Sequence, residues 1–221
     1  MNYRTRIKIC GLTRAEDVKA AVHSGVDAIG FVFYQKSPRY IAPDVAAHLL
    51  SLVPPFVTTV GLFVNESVDE MKKILREAKV DLLQFHGDEL SSECEIISNI
   101  VERPYIRAMR VQSDMVTEDL IKYHQDYSKA QGLLCDAWVD GYGGGGQAFD
   151  WSLIPEKLSS QIILSGGLNP GNVHQAVSTV RPYAVDVSSG VEHSKGIKSA
   201  ELIAQFVAQV RLADETLFMK K

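Results

Sequence analysis

The sequence has little cysteine, no long apolar run and no large excess of either charge. Cysteine occurs three times in 221 residues, at Cys10, Cys94 and Cys135. The count is odd, the spacing wide and no CxxC pair is present. That pattern excludes a disulfide framework and a zinc knuckle, and it fits a reducing compartment. The longest apolar runs fall far short of the ~18 residues that a membrane span needs. The N-terminus carries Arg4, Arg6 and Lys8 in a strand-like run, with no apolar stretch of the signal-peptide kind after it. A cytoplasmic chain with no membrane partner is therefore expected. Lys and Arg number 23 against 27 Asp and Glu, a net charge of −4. No basic field exists for nucleic acid, so an anionic ligand would have to be met by local positive groups.

What is present is regular alternation. Short β-branched runs occur at Arg6–Cys10, Asp27–Phe33, Phe56–Val64, Leu82–His86, Tyr105–Val111, Gly132–Asp136, Gln161–Ser165 and Tyr183–Ser188. Helical patterns lie between them, at Arg14–Ser24, Pro43–Leu52, Ser67–Lys79, Ser91–Ile100, Asn169–Val180 and Ser199–Arg211. In these the apolar residues recur every three or four positions, as on one helix face. Ser67 and Glu70 have the spacing of a capping box. Pro43 and Pro170 sit where a first helical turn tolerates proline. The sixth unit is irregular, with a glycine-rich stretch at 140–147 and a short helical segment near Trp151–Leu158. The tail from Asp214 to Lys221 reads as frayed.

Strands that are apolar throughout and alternate with helices imply a parallel sheet covered on both faces. About eight such units with no linker point to one (βα)₈ barrel domain over residues 1–221. The rival is an open doubly wound sheet, whose reversal of strand order nothing in the sequence indicates.

Reactive groups of such a barrel sit just after its strands. The candidates are Cys10, Arg39, Asn65, His86, Arg110 and Asp136, then Gly166 and Gly167, then Ser188, Ser189 and Gly190. The last two groups are small-residue turns after adjacent strands, a pattern suited to a phosphate. Cys10 has three readings: a buried small hydrophobe, a nucleophile, or a general base. Asp136 is either a loop-ordering carboxylate or a general acid raised by burial. Arg39 is either solvated or a fork for a carboxylate. Its neighbour Lys36 reads as solvated. Lys8 shares a strand face with Cys10, so it too should point inward and need a counter-charge. Asp186 on the last strand, beside the first in a closed barrel, is the expected partner.

Taken together, the motifs resemble the phosphoribosylanthranilate isomerase family of tryptophan biosynthesis. The matching stretches are KICGLTR at 8–14, GFVFYQKSPRY at 30–40, VGLFVN at 60–65, LQFHG at 83–87, YGGGG with FDW at 149–151, LSGGLNPGNV at 164–173 and VDVSSGVE at 185–192. The resemblance implies a ribulose-phosphate-binding TIM barrel. It implies an Amadori rearrangement of N-(5-phosphoribosyl)anthranilate to 1-(2-carboxyphenylamino)-1-deoxyribulose 5-phosphate. Cys10 then looks like the general base, Asp136 like the general acid and Arg39 like the carboxylate grip. Gly166, Gly167, Ser188, Ser189 and Gly190 look like the phosphate cradle. No metal or cofactor is expected, because the substrate nitrogen serves as electron sink. The expected partner is a small phosphorylated aminosugar, bound by a monomer or a homodimer. Two rivals are an indole-glycerol-phosphate synthase, which would call for a lysine acid at a strand tip, and a non-catalytic phospholigand-binding barrel. Cys135 reads as strand packing, and Arg110 as either an aid to the anionic substrate or a solvated cation.

Overall fold

The computed structural model describes residues 4–137 and 148–219. Eight parallel strands close into a barrel in chain order. They are β1 (Arg6–Cys10), β2 (Ala28–Val32), β3 (Thr58–Phe63), β4 (Leu82–Phe85), β5 (Tyr105–Val111), β6 (Leu133–Ala137), β7 (Ile162–Leu164) and β8 (Ala184–Val187). All eight runs expected from the sequence are strands: β1 and β5 keep the expected bounds, β6 lies one residue later, and the other five are trimmed by a residue or two. β8 returns to β1 with Lys8 in register with Asp186. The helices between strands are α1 (Ala15–His23), α2 (Pro43–Leu50), α3 (Val68–Glu77), α4 (Ser91–Val101), α5 (Thr117–Asp126), α6 (Glu156–Ser159) and α7 (Val173–Val180). A 3₁₀ turn at Trp151–Leu153 precedes α6. After β8 a 3₁₀ turn at Ser189–Val191 leads into a hairpin of β9 (Glu192–Ser194) and β10 (Ile197–Lys198), and α8 (Ala200–Met219) follows.

Strand alternation makes two cores. Ile9, Ile29, Phe31, Phe63, Leu83, Phe85, Met109, Cys135, Leu164 and Val185 face outward and pack under the helices. Ile106, Ala108, Leu134, Ile163 and Ala184, with Leu82 against them, fill the barrel interior. Residues in register on neighbouring parallel strands share a face. The pairs Cys10↔Gly30, Gly30↔Val60, Val60↔Leu82 and Gln84↔Ile106 therefore carry the inner face from β1 to β5. Ala108↔Leu134, Arg110↔Asp136, Leu134↔Ile163, Ile163↔Ala184 and Lys8↔Asp186 carry it on round to β1. Cys10 and Asp136 consequently look into the same interior.

Four expectations require correction. From Asp214 to Met219 the tail is helical and not frayed: α8 runs to Met219, and buried Asp214 accepts hydrogen bonds from Thr5 N at 2.8 Å and Thr5 Oγ1 at 2.7 Å. Pro170 is not in a first helical turn, because α7 begins only at Val173. Ser67 does cap α3 by accepting from Glu70 N at 3.2 Å, but the return arm of the box is missing. Glu70 takes Lys73 instead, and Ser67 N donates to Glu66. Finally, α5 was not among the helical patterns; Leu120 is its one buried residue, too little for a stripe. No helix among the described residues is long and apolar enough to cross a membrane.

Candidate active site

Cys10 ends β1 and is 5% exposed. Its neighbour across the ladder is Gly30, where a Cβ would stand 2.9 Å from the Cys10 Sγ. Gly11 has φ +77°, so the chain turns out of the strand where an L side chain would be strained. A Cβ at Gly11 would also lie 2.6 Å from Arg39 Cδ. Glycine at that point lets the Arg39 side chain cross the backbone directly beside Cys10.

Burial pushes the Cys10 thiol up, while Lys8 and Lys198 pull it back only in part. Burial alone would depress the Lys8 ammonium, but Asp186 and Cys10 outweigh it and raise its pKa. Lys8 Nζ donates to Asp186 Oδ1 at 2.7 Å, with both side chains almost wholly buried. Ser165 Oγ donates to the other oxygen of Asp186 at 3.2 Å. Of the other two thiols, Cys94 has Arg107 near it and Cys135 has no cation acting on it. Burial pushes both Cys94 and Cys135 up to about 12, and Cys135 packs in the outer core.

Asp136 lies one residue before the end of β6. His86 Nε2 stands 3.2 Å from Asp136 Oδ2, a close approach not aligned as a hydrogen bond. His86 Nδ1 is 2.9 Å from Gln84 Nε2. Which of these two nitrogen atoms donates depends on the imidazole tautomer. His86 stands beside Asp136, and neither of its ring nitrogens bonds Cys10, so the structure does not pair it with that thiol as a base. The glycine-rich stretch at 140–147 lies outside the described residues.

The turns after β7 and β8 lie against each other. Gly166 and Gly167 have φ +81° and +64°, and a Cβ on Gly166 would meet Ala137 N at 2.3 Å. A Cβ on Gly190 would fall 1.9 Å from Leu168 O. Among the described residues the Gly166 and Gly167 amides have no acceptor. Asn169 and Asn172 both donate to Gly167 O, at 3.2 and 2.9 Å, and so hold the first turn open. Ser188 Oγ donates to Cys10 O at 3.0 Å and ties the second turn to β1.

Arg39 is buried and is not solvated. Its Nε and Nη2 donate to the two oxygens of Glu192, at 2.7 Å each. Lys198 Nζ donates to the same carboxylate at 2.8 Å and to Ser188 O at 3.0 Å. The hydrogen bonds of Arg39 to Glu192 raise the guanidinium against its burial. Burial would raise Glu192, but Arg39 and Lys198 hold it below the usual carboxylate range. Burial lowers Lys198 beyond what Glu192 restores. Sequence reasoning did not reach Glu192 or Lys198, whose hairpin is too short for a periodic signal.

The remaining strand-tip residues organise loops. Arg110 pairs with Asp88, and Asn65 N donates to Glu89 Oε1 at 2.7 Å. Buried Arg107 donates to Phe85 O, Gly87 O and Glu89, fixing the loop that carries His86. No group of three or more His, Cys, Asp or Glu among the described residues is placed to hold a metal ion.

Comparison with known proteins agrees with this geometry. The family described as N-(5'phosphoribosyl)anthranilate (PRA) isomerase matches residues 7–209. The N-(5'-phosphoribosyl)anthranilate isomerase of Herminiimonas arsenicoxydans is 56% identical over 224 residues, covering 100% of this chain and 99% of the relative. That of Dechloromonas aromatica is 55% identical, covering 97% of this chain and all of the relative. Among solved structures, phosphoribosyl anthranilate isomerase from Thermotoga maritima superposes with a TM-score of 0.83 at 40% identity, covering 94% of this chain and 98% of that one. A structure of such an isomerase in complex with reduced 1-(o-carboxyphenylamino)-1-deoxyribulose 5-phosphate matches with a TM-score of 0.77 at 36% identity, covering 94% and 98%. An eight-stranded barrel that aligns along its length with these enzymes leaves one conclusion: the chain belongs to the N-(5'-phosphoribosyl)anthranilate isomerase family.

Proposed function

We propose that this chain is a single-domain cytoplasmic isomerase that performs the Amadori rearrangement of N-(5-phosphoribosyl)anthranilate in tryptophan biosynthesis. The observation that carries the reading is the shared interior of Cys10 and Asp136, beside two abutting small-residue turns. Asp136 gives its proton to the furanose ring oxygen. The C1–O bond breaks, and the nitrogen lone pair closes a C1=N iminium. Cys10, as thiolate, takes the proton from C2. The C2–H electrons form C1=C2 and the nitrogen recovers its pair, giving an enolamine. Loss of the enol proton and protonation of C1 yield the ketone. Lys8 and Lys198 favour the thiolate that this step needs.

The phosphate sits at the turns of Gly166–Gly167 and Ser188–Gly190, where glycine permits close backbone approach. Arg39 receives the aryl carboxylate with the part of its guanidinium that Glu192 leaves open. Its Nε and Nη2 are committed to Glu192, so the end of the guanidinium, through Nη1, meets the ligand. A ring-closing synthase is disfavoured because Lys8 and Lys198, the two buried lysines among the described residues, are both held by carboxylates. Complementation tests the function. The chain should restore growth of a tryptophan auxotroph lacking the isomerase step, and the Cys10→Ala variant should not; no growth with a soluble wild-type chain would refute the reading.

A further inference from the structure

Glu192 is a buried carboxylate with two cationic partners and no part in the chemistry above. Its side chain is 5% exposed, Arg39 is 9% exposed and Lys198 is fully enclosed. The three groups come from separate places: Arg39 from the loop after β2, Glu192 from β9 and Lys198 from β10. Each is pinned. Lys198 N donates to Asp17 Oδ2 at 3.2 Å, and Arg14 holds that same Asp17. The hairpin turn lies on the Arg39 loop, where a Cβ on Gly196 would stand 3.0 Å from Pro38 O. Arg39 therefore has Gly11 beneath it, the hairpin at its loop and Glu192 across its fork.

A guanidinium gains directional binding only when its plane is fixed, and a two-bond fork with a rigid carboxylate fixes it. We infer that Glu192 is a positioning residue that sets the plane of Arg39 and so determines how the site receives an aryl carboxylate. The same carboxylate grips Lys198, which also holds the carbonyl of Ser188 in the phosphate turn. The two anion-binding ends of the site are thus tied through one side chain. This inference rests on Arg39 as the carboxylate grip.

Charge and position make opposite predictions. Two cations and one anion leave the cluster a single positive charge. Glu192→Gln removes the one negative charge and leaves both cations, which by electrostatics alone would tighten an anionic ligand. Loss of the fork would weaken it. Reduced 1-(o-carboxyphenylamino)-1-deoxyribulose 5-phosphate and its counterpart without the aryl carboxylate are titrated calorimetrically into wild type, Glu192→Gln, Arg39→Ala and the double variant. Glu192→Gln should weaken the carboxylate ligand about tenfold and the other ligand less than about twofold. In the Arg39→Ala background it should add less than about twofold. KM should rise about tenfold with kcat within about threefold. Glu192→Asp keeps the charge but is one methylene too short to span both cations, so it should also weaken the carboxylate ligand. Tighter or unchanged binding, equal loss for both ligands, or full additivity would overturn the inference. Failure of both Glu192 variants to fold would also overturn it, by assigning the residue to folding. Wild-type affinity in Arg39→Ala would instead overturn the Arg39 reading.

Discussion

At the N-terminal end of the barrel three aspartates accept from backbone amides at strand starts, one of them also pairing with Arg4; at the C-terminal end the carboxylates Asp186 and Glu192, near Cys10, pair with buried side-chain cations. Asp27 accepts from Ile7 N at 2.9 Å, Asp81 from Thr59 N at 2.8 Å and Asp214 from Thr5 N at 2.8 Å. In each case an aspartate closes the exposed start of a strand, which is a folding task. The interior just above is apolar, filled by Leu82, Ile106, Ile163 and Ala184. At the other end Asp186 holds Lys8, Glu192 holds Arg39 and Lys198, and Asp136 stands beside His86. Buried ion pairs contribute little net stability because desolvation offsets their attraction. Their concentration around Cys10 is understandable as chemistry: together they set charge and orientation at one cavity. One end thus maintains the fold, and the other uses the stability so gained.

Substitutions at each end sharpen that division. The largest effect is expected at the top. Cys10→Ala and Asp136→Asn should each lower kcat about a thousandfold, within the range of a lost general acid or base. Their denaturation midpoints should stay near wild type, and steady-state kinetics with urea melts check both. Lys8→Met tests the boundary, since Lys8 pairs with Asp186 and also acts on Cys10. Leaving Asp186 buried without its cation should cost about 3–5 kcal/mol, and activity should fall as well. A variant that lost stability and kept full activity would place Lys8 with the lower end.

Smaller effects belong to the lower end and to pH. Asp214→Ala strands two buried donors of Thr5 and should cost about 2–3 kcal/mol in urea denaturation. Its kcat and KM should be those of wild type, because the bond lies at the far end from Cys10. Glu192 supplies the smallest effect. Folded Glu192 binds its proton less tightly than an ordinary glutamate, so in acid the unfolded chain takes up more protons. The stability it gives is complete above the ordinary value of about 4.3 and is lost as pH falls below that. The denaturation midpoint of wild type should drop more steeply than that of Glu192→Gln over this range.

How much the sequence disclosed depended on the range of each signal. The strands were legible because each is a short apolar run with its own boundaries. The contact of Lys8 with Asp186 was legible because strand parity and barrel closure together fix which residues face. α5 escaped because its sequence buries almost only Leu120. The C-terminal extension of α8 escaped because its anchor, Thr5, is 209 residues away in sequence. Arg39 could be placed at the mouth, but not its use of one edge on Glu192, since that fork joins residues 153 apart through a hairpin of very short strands. Asp136 is visible in the sequence as a carboxylate at an apolar strand tip, and His86 only as a strand-tip candidate, since nothing local joins residues on β6 and after β4.

The most direct test is isotopic. With substrate deuterated at C2, transfer of that atom is the step assigned to Cys10, and ring opening is the step assigned to Asp136. Turnover by a Cys10→Ser variant should be slowed clearly by deuterium, because its impaired base makes C2 proton removal limiting. Turnover by Asp136→Asn should be insensitive, because ring opening is then the slow step. Deuterium sensitivity in Asp136→Asn with none in Cys10→Ser would contradict the assignment of the two groups.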